Sequence, residues 1–344
     1  MSRLGILIGA GSIGKRHAVV MAGRYNRLIV IDINPTAREW AASELSGDVV
    51  TVEKLSDVDS EVRRYSSTTT AVIATWGPAH FQTIGELTEL GVRQIFCEKP
   101  LAVSLKQVAE IRRLCSESKV SLTAGLHLRY RGISDFIRNI SQSHLGGLPT
   151  TMVVDGGARC IATNGSHWLD LAIDVFGGPP SSVSSLLRSA SINPRSADLQ
   201  FWAGSACWEF LGGQHLAITY DNLSSVHERV CFYTPFGILE VDPELTVRAY
   251  RRTLSEIEAD SRVIRVGQVE RSQSVAEYVP YTGEVLSKQL DEIEGLCPPR
   301  YGAEQVLTSA AALITAFEAH RLECRLSFPP TQEIVDQSAE WSIS

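Results

Sequence analysis

Short apolar runs and longer amphipathic stretches alternate through the first third of the chain. Leu4–Ile8, Leu28–Ile31, Asp48–Val52, Thr69–Thr75, Arg93–Cys97 and Val120–Ala124 carry the β-branched and apolar residues of buried strands. Between them Lys15–Gly23, Pro35–Leu45, Ser56–Tyr65, His80–Leu90 and Leu105–Ser118 read as helices. Pro35 stands in a first turn, where its missing N–H is no loss, and Gly91 closes the helix ending at Leu90. Such alternation predicts a parallel, doubly wound α/β sheet with ligands at the carboxyl ends of its strands. The pattern closes near residue 125, which sets a first domain at 1–125.

From Thr150 the period changes. Alternating or β-branched runs at Thr151–Val154, Val183–Leu187, Leu199–Phe210, His215–Tyr220, His227–Tyr233, Ile238–Val241 and Leu245–Tyr250 are separated by Gly, Pro, Asn and Asp. One helix, Ser166–Phe176, interrupts them. Strands that follow one another without helices predict a predominantly antiparallel sheet in an α+β domain, 126–344. Ser255–Val279 reads as loops or irregular strands, and Thr282–Leu296 and Ala303–Arg321 as closing helices, the last able to pack back on the first domain. One helix layer covers one face of an open sheet, so the other face is expected to meet a second copy in a homodimer or homotetramer. Phe201, Trp202, Trp208 and Phe210 are the apolar candidates for that contact.

The turn after the first strand, Gly9-Ala10-Gly11-Ser12-Ile13-Gly14, is a GxGxxG loop between a strand and a helix. That context marks a Rossmann domain. Gly9 permits the tight turn, Gly11 lets the backbone approach a diphosphate, and Gly14 lets helix and strand pack closely. The helix N-terminus then favours the diphosphate charge. Asp32, at the end of the second strand, is placed to hold a ribose 2′-hydroxyl and to repel a 2′-phosphate. NAD is therefore the expected cofactor; NADP is the less favoured choice but stays open, because Lys15 and Arg16 lie close in sequence. The structural alternative for Asp32 is the start of the Asp32-Ile33-Asn34-Pro35 turn.

Composition narrows the partners. A 344-residue chain with 44% hydrophobic and 21% charged residues and a net charge of −7 fits a two-domain globular protein, not a nucleic-acid or anionic-membrane binder. No apolar run has the roughly 18 residues of a membrane span. The first strand begins within three residues of Met1, leaving no room for a signal peptide. The 7 cysteines are scattered without CxxC spacing, and the histidines show no ligand spacing. Both patterns point to a reducing, cytoplasmic setting without a metal site.

Two residues are candidates for chemistry. Lys99, between Glu98 and Pro100 at a strand's carboxyl end, could stabilise negative charge on a substrate oxygen, with Glu98 orienting it. The plainer alternative is a solvated surface pair. His167 opens the lone helix of the second domain, with Asp170 and Asp174 on its face, and could take a hydroxyl proton. The alternative is a capping cluster built on Asn164 or Ser166. Arg129, Arg131 and Arg159 could meet an anionic substrate, with His127 and Tyr130 beside them.

Taken together, Gly9–Gly14 with Lys15-Arg16-His17, Thr75…His80, Glu98-Lys99-Pro100 and Gly165-Ser166-His167-Trp168-Leu169-Asp170 resemble the glucose–fructose oxidoreductase/inositol dehydrogenase (Gfo/Idh/MocA) family. The resemblance implies NAD(P)-dependent hydride transfer at a carbinol of a sugar, cyclitol or related small molecule. It implies Lys99 as active-site lysine and His167 as acid/base. Thr75, Trp76, His80 and Glu98 would belong to the cofactor site, and Arg129, Thr163, Asn164 and Asp170 to the substrate site. Thr163 stands where many members carry an aspartate, and Trp76 where the residue is often small or proline. Two other readings stay open: a non-oxidative enzyme that uses bound NAD transiently, and a binding or regulatory protein for NAD or a sugar.

Overall fold

The computed structural model describes residues 3–190, 200–242, 246–252, 269–273 and 283–343. Its first sheet is parallel throughout, in the order β3 (Asp48–Val52), β2 (Arg27–Ile31), β1 (Leu4–Ile8), β4 (Thr69–Ile73), β5 (Gln94–Cys97), β6 (Ser121–Ala124). Helices α1 (Ser12–Ala22), α2 (Pro35–Glu44), α3 (Asp59–Tyr65), α4 (Gly77–Glu89) and α5 (Leu105–Ser118) connect these strands. The strand order reverses between β1 and β4, and a crevice opens at such a switch point. Alternate residues serve two cores. Leu7, Val30, Val72 and Phe96 pack against Ala18, Met21 and Ala41 on one face, while Ile6, Ile29, Ile73 and Ile95 look to the other.

The second sheet is mixed, in the order β14 (Val269–Gln273), β13 (Val247–Arg252), β12 (Gly237–Val241), β11 (Arg229–Tyr233), β7 (Thr151–Gly156), β10 (His215–Tyr220), β9 (Phe201–Phe210), β8 (Pro180–Ala190), β15 (Leu326–Ser327). Its pairings are antiparallel except β7 with β10. Helix α6 (Ile133–His144) precedes it, and α7 (Ser166–Phe176) follows β7. Leu199, Leu245, Thr282 and most of Ser255–Val279 lie outside the described residues.

Both closing helices reach the first domain. Helix α8 (Gly283–Ile293) returns to the first sheet, where Leu286, Leu290 and Ile293 complete the core beside α1. A doubly wound sheet must cover both faces, and α8 supplies what α1 and α2 leave open. Arg24 and Tyr25 anchor its end through Glu294, the tyrosine hydroxyl donating at 2.6 Å. The long α9 (Ala303–Arg321) instead contacts both β8 and α5. The tail then passes through α10 (Gln332–Asp336) to Trp341, whose backbone N–H donates to Val103 (2.9 Å) and whose indole donates to the buried Glu318 (2.9 Å).

The aromatic residues of β9 turn inward. Trp208 donates from its indole to the Ala312 carbonyl (3.0 Å), Trp202 meets Phe317 and Trp341 edge-on, and Phe210 packs on Phe176. They are core residues and give no support to an apolar outer face. The outer row Leu186, Ser205, Thr219, Asp155, Arg229 is mostly polar. Among the described residues no helix is long and apolar enough to cross a membrane.

Candidate active site

The glycine loop is built for close approach. Gly9 has φ +93°, and a Cβ there would come within 2.8 Å of the Ala74 backbone. A Cβ on Gly14 would run into the Gly9 carbonyl, so α1 packs on the loop only as glycine. Around Gly11 a Cβ would meet nothing within 4 Å, which leaves the space before the α1 N-terminus open for a diphosphate. Ser12 is exposed and Ile13 half-buried at the same mouth.

Asp32 faces this loop. Its carboxylate accepts from the Ala10 N–H (2.6 Å) and the Asn34 N–H (2.8 Å), and Arg38 donates to its carbonyl (2.6 Å). Each carboxylate oxygen keeps a lone pair for a hydroxyl donor. Asp32 lines a cavity of about 610 Å³ together with Gly9, Glu53, Thr75, Trp76 and Glu86. The Thr75 hydroxyl is buried there with no hydrogen-bond partner among the described residues, and the Trp76 side chain is 50% exposed at the rim. Loop, acid and unpartnered hydroxyl fit a dinucleotide along the crevice.

His80 and Glu98 sit beneath the groove, not in it. His80 is fully buried between the Pro100 carbonyl (2.8 Å) and the Thr75 carbonyl (3.1 Å). Burial lowers its pKa against the pull of these carbonyls, and a neutral imidazole donates to one of them at a time. Glu98 accepts from His17 of α1 (2.8 Å) and from the Lys99 backbone N–H (3.2 Å). Burial pushes this carboxyl up, but His17 and Lys99 together hold it below its ordinary value. Both residues therefore reach the groove only through the Thr75–Trp76 and Lys99–Pro100 turns. The Lys99–Pro100 peptide is cis.

Lys99 itself is half-buried and shares a small cleft with Ser166, the residue before His167. His167 lies where a one-turn π-helix, Ile161–Gly165, runs into α7, a distortion common at functional sites. No side chain caps α7 among the described residues. Asn164 instead accepts from the Cys160 N–H (3.3 Å) and the Thr163 hydroxyl (3.4 Å), and the Ser166 hydroxyl donates to the Thr163 carbonyl (2.8 Å). The His167 ring meets the ring of His127, which follows β6, at 4.4 Å between centroids. Burial first, then His127, Lys99 and Arg131, depress the His167 pKa well below the ordinary histidine value.

Residues 4–126 match the family described as the oxidoreductase family with an NAD-binding Rossmann fold, Gfo/Idh/MocA. Over this first domain the chain is similar to the Gfo/Idh/MocA family. It is 30% identical over 129 residues to inositol 2-dehydrogenase of Rhizobium meliloti, a match spanning 36% of the chain and 36% of that relative, about a third of each. Two solved structures share the fold over both domains. One is an oxidoreductase from Agrobacterium radiobacter in complex with NAD+, L-tartaric acid and magnesium (TM-score 0.70, 14% identity, covering 95% of this chain and 98% of that one). The other is the WlbA dehydrogenase of Bordetella pertussis in complex with NADH and UDP-GlcNAcA (0.68, 18%, 96% and 100%).

Against the Gfo/Idh/MocA pattern, Thr163 is buried and carries no charge to His167. Arg129 and Asp170 face each other. The Arg129 guanidinium donates to both Asp170 carboxylate oxygens (2.9 Å each) and lies 4.3 Å from the Tyr301 ring centroid. Tyr301 and Ser309 donate to the same carboxylate at 2.5 and 2.7 Å. With Arg129 at 5% and Asp170 at 1% exposure, the pair cements α7 to the 128–131 turn and α9. Sequence reasoning missed this network and the His17–Glu98 contact. No local spacing signals either, since the partners lie 41 and 81 residues apart in the chain.

Proposed function

We propose that the chain is an NAD-dependent dehydrogenase acting on a carbinol of a sugar- or cyclitol-like small molecule. The observation that carries this reading is that Gly9–Gly14, Asp32, Lys99 and His127 all follow the carboxyl ends of strands of one parallel sheet, with the His167 ring 4.4 Å from that of His127. Gly9, Gly11, Ser12, Ile13, Gly14, Asp32, Thr75 and Trp76 would hold NAD, which would supply the hydride acceptor when bound. His167 would receive the hydroxyl proton, while Lys99 would stabilise charge on the substrate oxygen. Glu98 fixes the Lys99 backbone, and His80 ties Thr75 to Pro100.

The preference for NAD is supported by the rim of the groove. Asp32, Glu53, Asp59, Glu86 and Glu89 outnumber Lys54 and Arg63 there, and Lys15 lies over the Trp40 ring (4.7 Å). A 2′-phosphate would meet mostly like charge. We assign the polar outer face of the second sheet to a second copy, which light scattering would show as a dimer or tetramer. Lys99→Ala and His167→Ala should each lower kcat by roughly 10²-fold or more with NAD affinity retained. Near-normal turnover in both refutes the assignment. Saturable NAD binding without turnover on any sugar or cyclitol would favour a regulatory protein, a reading to which the neutral Thr163 lends weight.

A further inference from the structure

Residues 338–343 run between the two domains and are held from both sides. Towards the first domain they follow the stretch after Lys99. The Leu105 N–H donates to the Ser338 hydroxyl (2.9 Å), the Gln107 amide reaches Glu340 (3.5 Å), and the Trp341 N–H donates to the Val103 carbonyl (2.9 Å). Towards the second domain, the Gln200 N–H, just before β9, donates to the Ser342 carbonyl (2.8 Å). The Trp341 ring meets Trp202 of β9 and Phe317 of α9. The buried Glu318 of α9 accepts from the Trp341 indole (2.9 Å) and the Ala339 N–H (3.0 Å). Ile343, fully buried, lies against the two turns that carry Trp76 and Lys99. A Cβ on Gly77 would come within 2.6 Å of the Ile343 carbonyl and 2.9 Å of the Pro100 ring. Gly77 has no positive φ to account for its missing side chain; the close approach of the tail accounts for it.

We propose that residues 338–343 are a positioning segment for the reaction centre, with Ile343 as the wedge that sets the Trp76 and Lys99 turns against the second domain. This rests on the dehydrogenase reading of the same site and adds to it how the two halves are aligned. Lys99 follows a strand of the first sheet, whereas His167 lies at the start of a helix in the second domain, so any shift of the lysine turn moves the two apart. Hydride transfer tolerates little of this, since a misplacement of about 1 Å can cost about 10²-fold in rate. Ile343 supplies no reacting group. It acts through Pro100, which follows Lys99, and through Gly77, which follows Trp76.

The test compares two core truncations in the full chain. Ile343→Ala empties the wedge, and Leu239→Ala empties a fully buried position on β12, which β11, β7 and β10 separate from β9. Both should lower thermal stability. Only Ile343→Ala should lower kcat, by about tenfold, and weaken NAD binding, by about threefold or more, because only it releases the two turns. Ile343→Leu, which keeps the volume, should restore both to within about twofold. Amide hydrogen exchange at residues 76–80 and 98–103 should speed up in Ile343→Ala and stay as it is in Leu239→Ala. Gly77→Ala drives a Cβ into the Ile343 carbonyl and should give the same loss of kcat. The double variant should then be no worse than the worse single one, since both changes act on one contact. Normal kcat and NAD affinity in Ile343→Ala, equal losses in Leu239→Ala, or additive losses in the double variant overturn the proposal. A parent chain without turnover on any sugar or cyclitol would sink the dehydrogenase reading, and amide exchange alone then decides the positioning role: faster exchange confined to Ile343→Ala upholds it, and any other pattern overturns it.

Discussion

Replacing Asp170 by alanine separates a structural carboxylate from a substrate-binding one. In the folded chain the Asp170 carboxylate accepts two bonds from Arg129 and one each from Tyr301 and Ser309, with almost no solvent contact. Its removal leaves the Arg129 guanidinium buried with only the Asp170 carbonyl (3.2 Å) and Asp174 (3.4 Å) within reach. Tyr301 and Ser309 keep only their contact with each other (3.3 Å). Breaking a buried pair from one side costs about 3–5 kcal/mol. At about 2–4 °C per kcal/mol for a domain of this size, the melting temperature should drop by about 6–20 °C. Thermal unfolding followed by tryptophan fluorescence measures it, with NAD affinity of the folded fraction unchanged. Replacing both partners, Arg129→Met with Asp170→Leu, should restore most of the loss, because no charge is then left buried. An Asp170→Ala protein as stable as the parent to within about 0.5 kcal/mol, but with a raised KM, would refute the structural assignment.

Three further outcomes follow from the geometry. Asp32→Ala removes an acceptor for the ribose and for two backbone N–H groups, so the Kd for NAD should rise by about 10–100-fold, against a smaller change for NADP; an unchanged NAD affinity by fluorescence titration would refute this role. His127 is held at about pKa 4 by burial, then Arg131 and Lys99, but titrates near about 6.5 when unfolded, so the unfolded chain binds more protons between these values and stability should fall as pH drops through that window. The slope from this group is at most about 1.4 kcal/mol per pH unit, less for its partial solvent access, and His127→Gln should flatten the dependence of urea midpoints on pH. Trp341→Ala opens the contacts with Trp202 and Phe317 and removes the indole donor to Glu318, for an expected loss of about 2–4 kcal/mol in urea unfolding; a loss below about 0.5 kcal/mol would show that the tail does not help hold the fold.

What the sequence disclosed depended on how local the cause was. β1, β2 and β4 are buried on both faces, and their apolar runs show it directly. The GxGxxG loop is equally local, because Gly9 and Gly14 answer to contacts within one strand–turn–helix unit and its neighbour. Helix α6 escaped notice although Ile133, Ile137 and Ile140 follow the helical period. Its N-terminus is Gly132 at φ +72°, without the Ser, Thr, Asp or Asn that usually marks a start. Asp170 was the harder case. Its spacing from His167 is that of helical neighbours, yet an arginine 41 residues upstream claims it.

The candidate site residues obey the same division. Thr75, Lys99 and His127 all lie just past the ends of neighbouring strands β4, β5 and β6, so the sheet sets their spacing. Beneath them His80 bridges the first two turns, and Glu98 reaches across to α1. Gly125, two residues before His127, leaves room for the Glu98 carboxylate; a Cβ there would run into it. The buried acid thus braces the lysine turn and the histidine turn together. His167 alone comes from the other sheet's helix, and the Arg129–Asp170 pair fixes that helix to the same β6 turn. Candidate residues drawn from two sheets are thus held together by two buried carboxylates, Glu98 and Asp170.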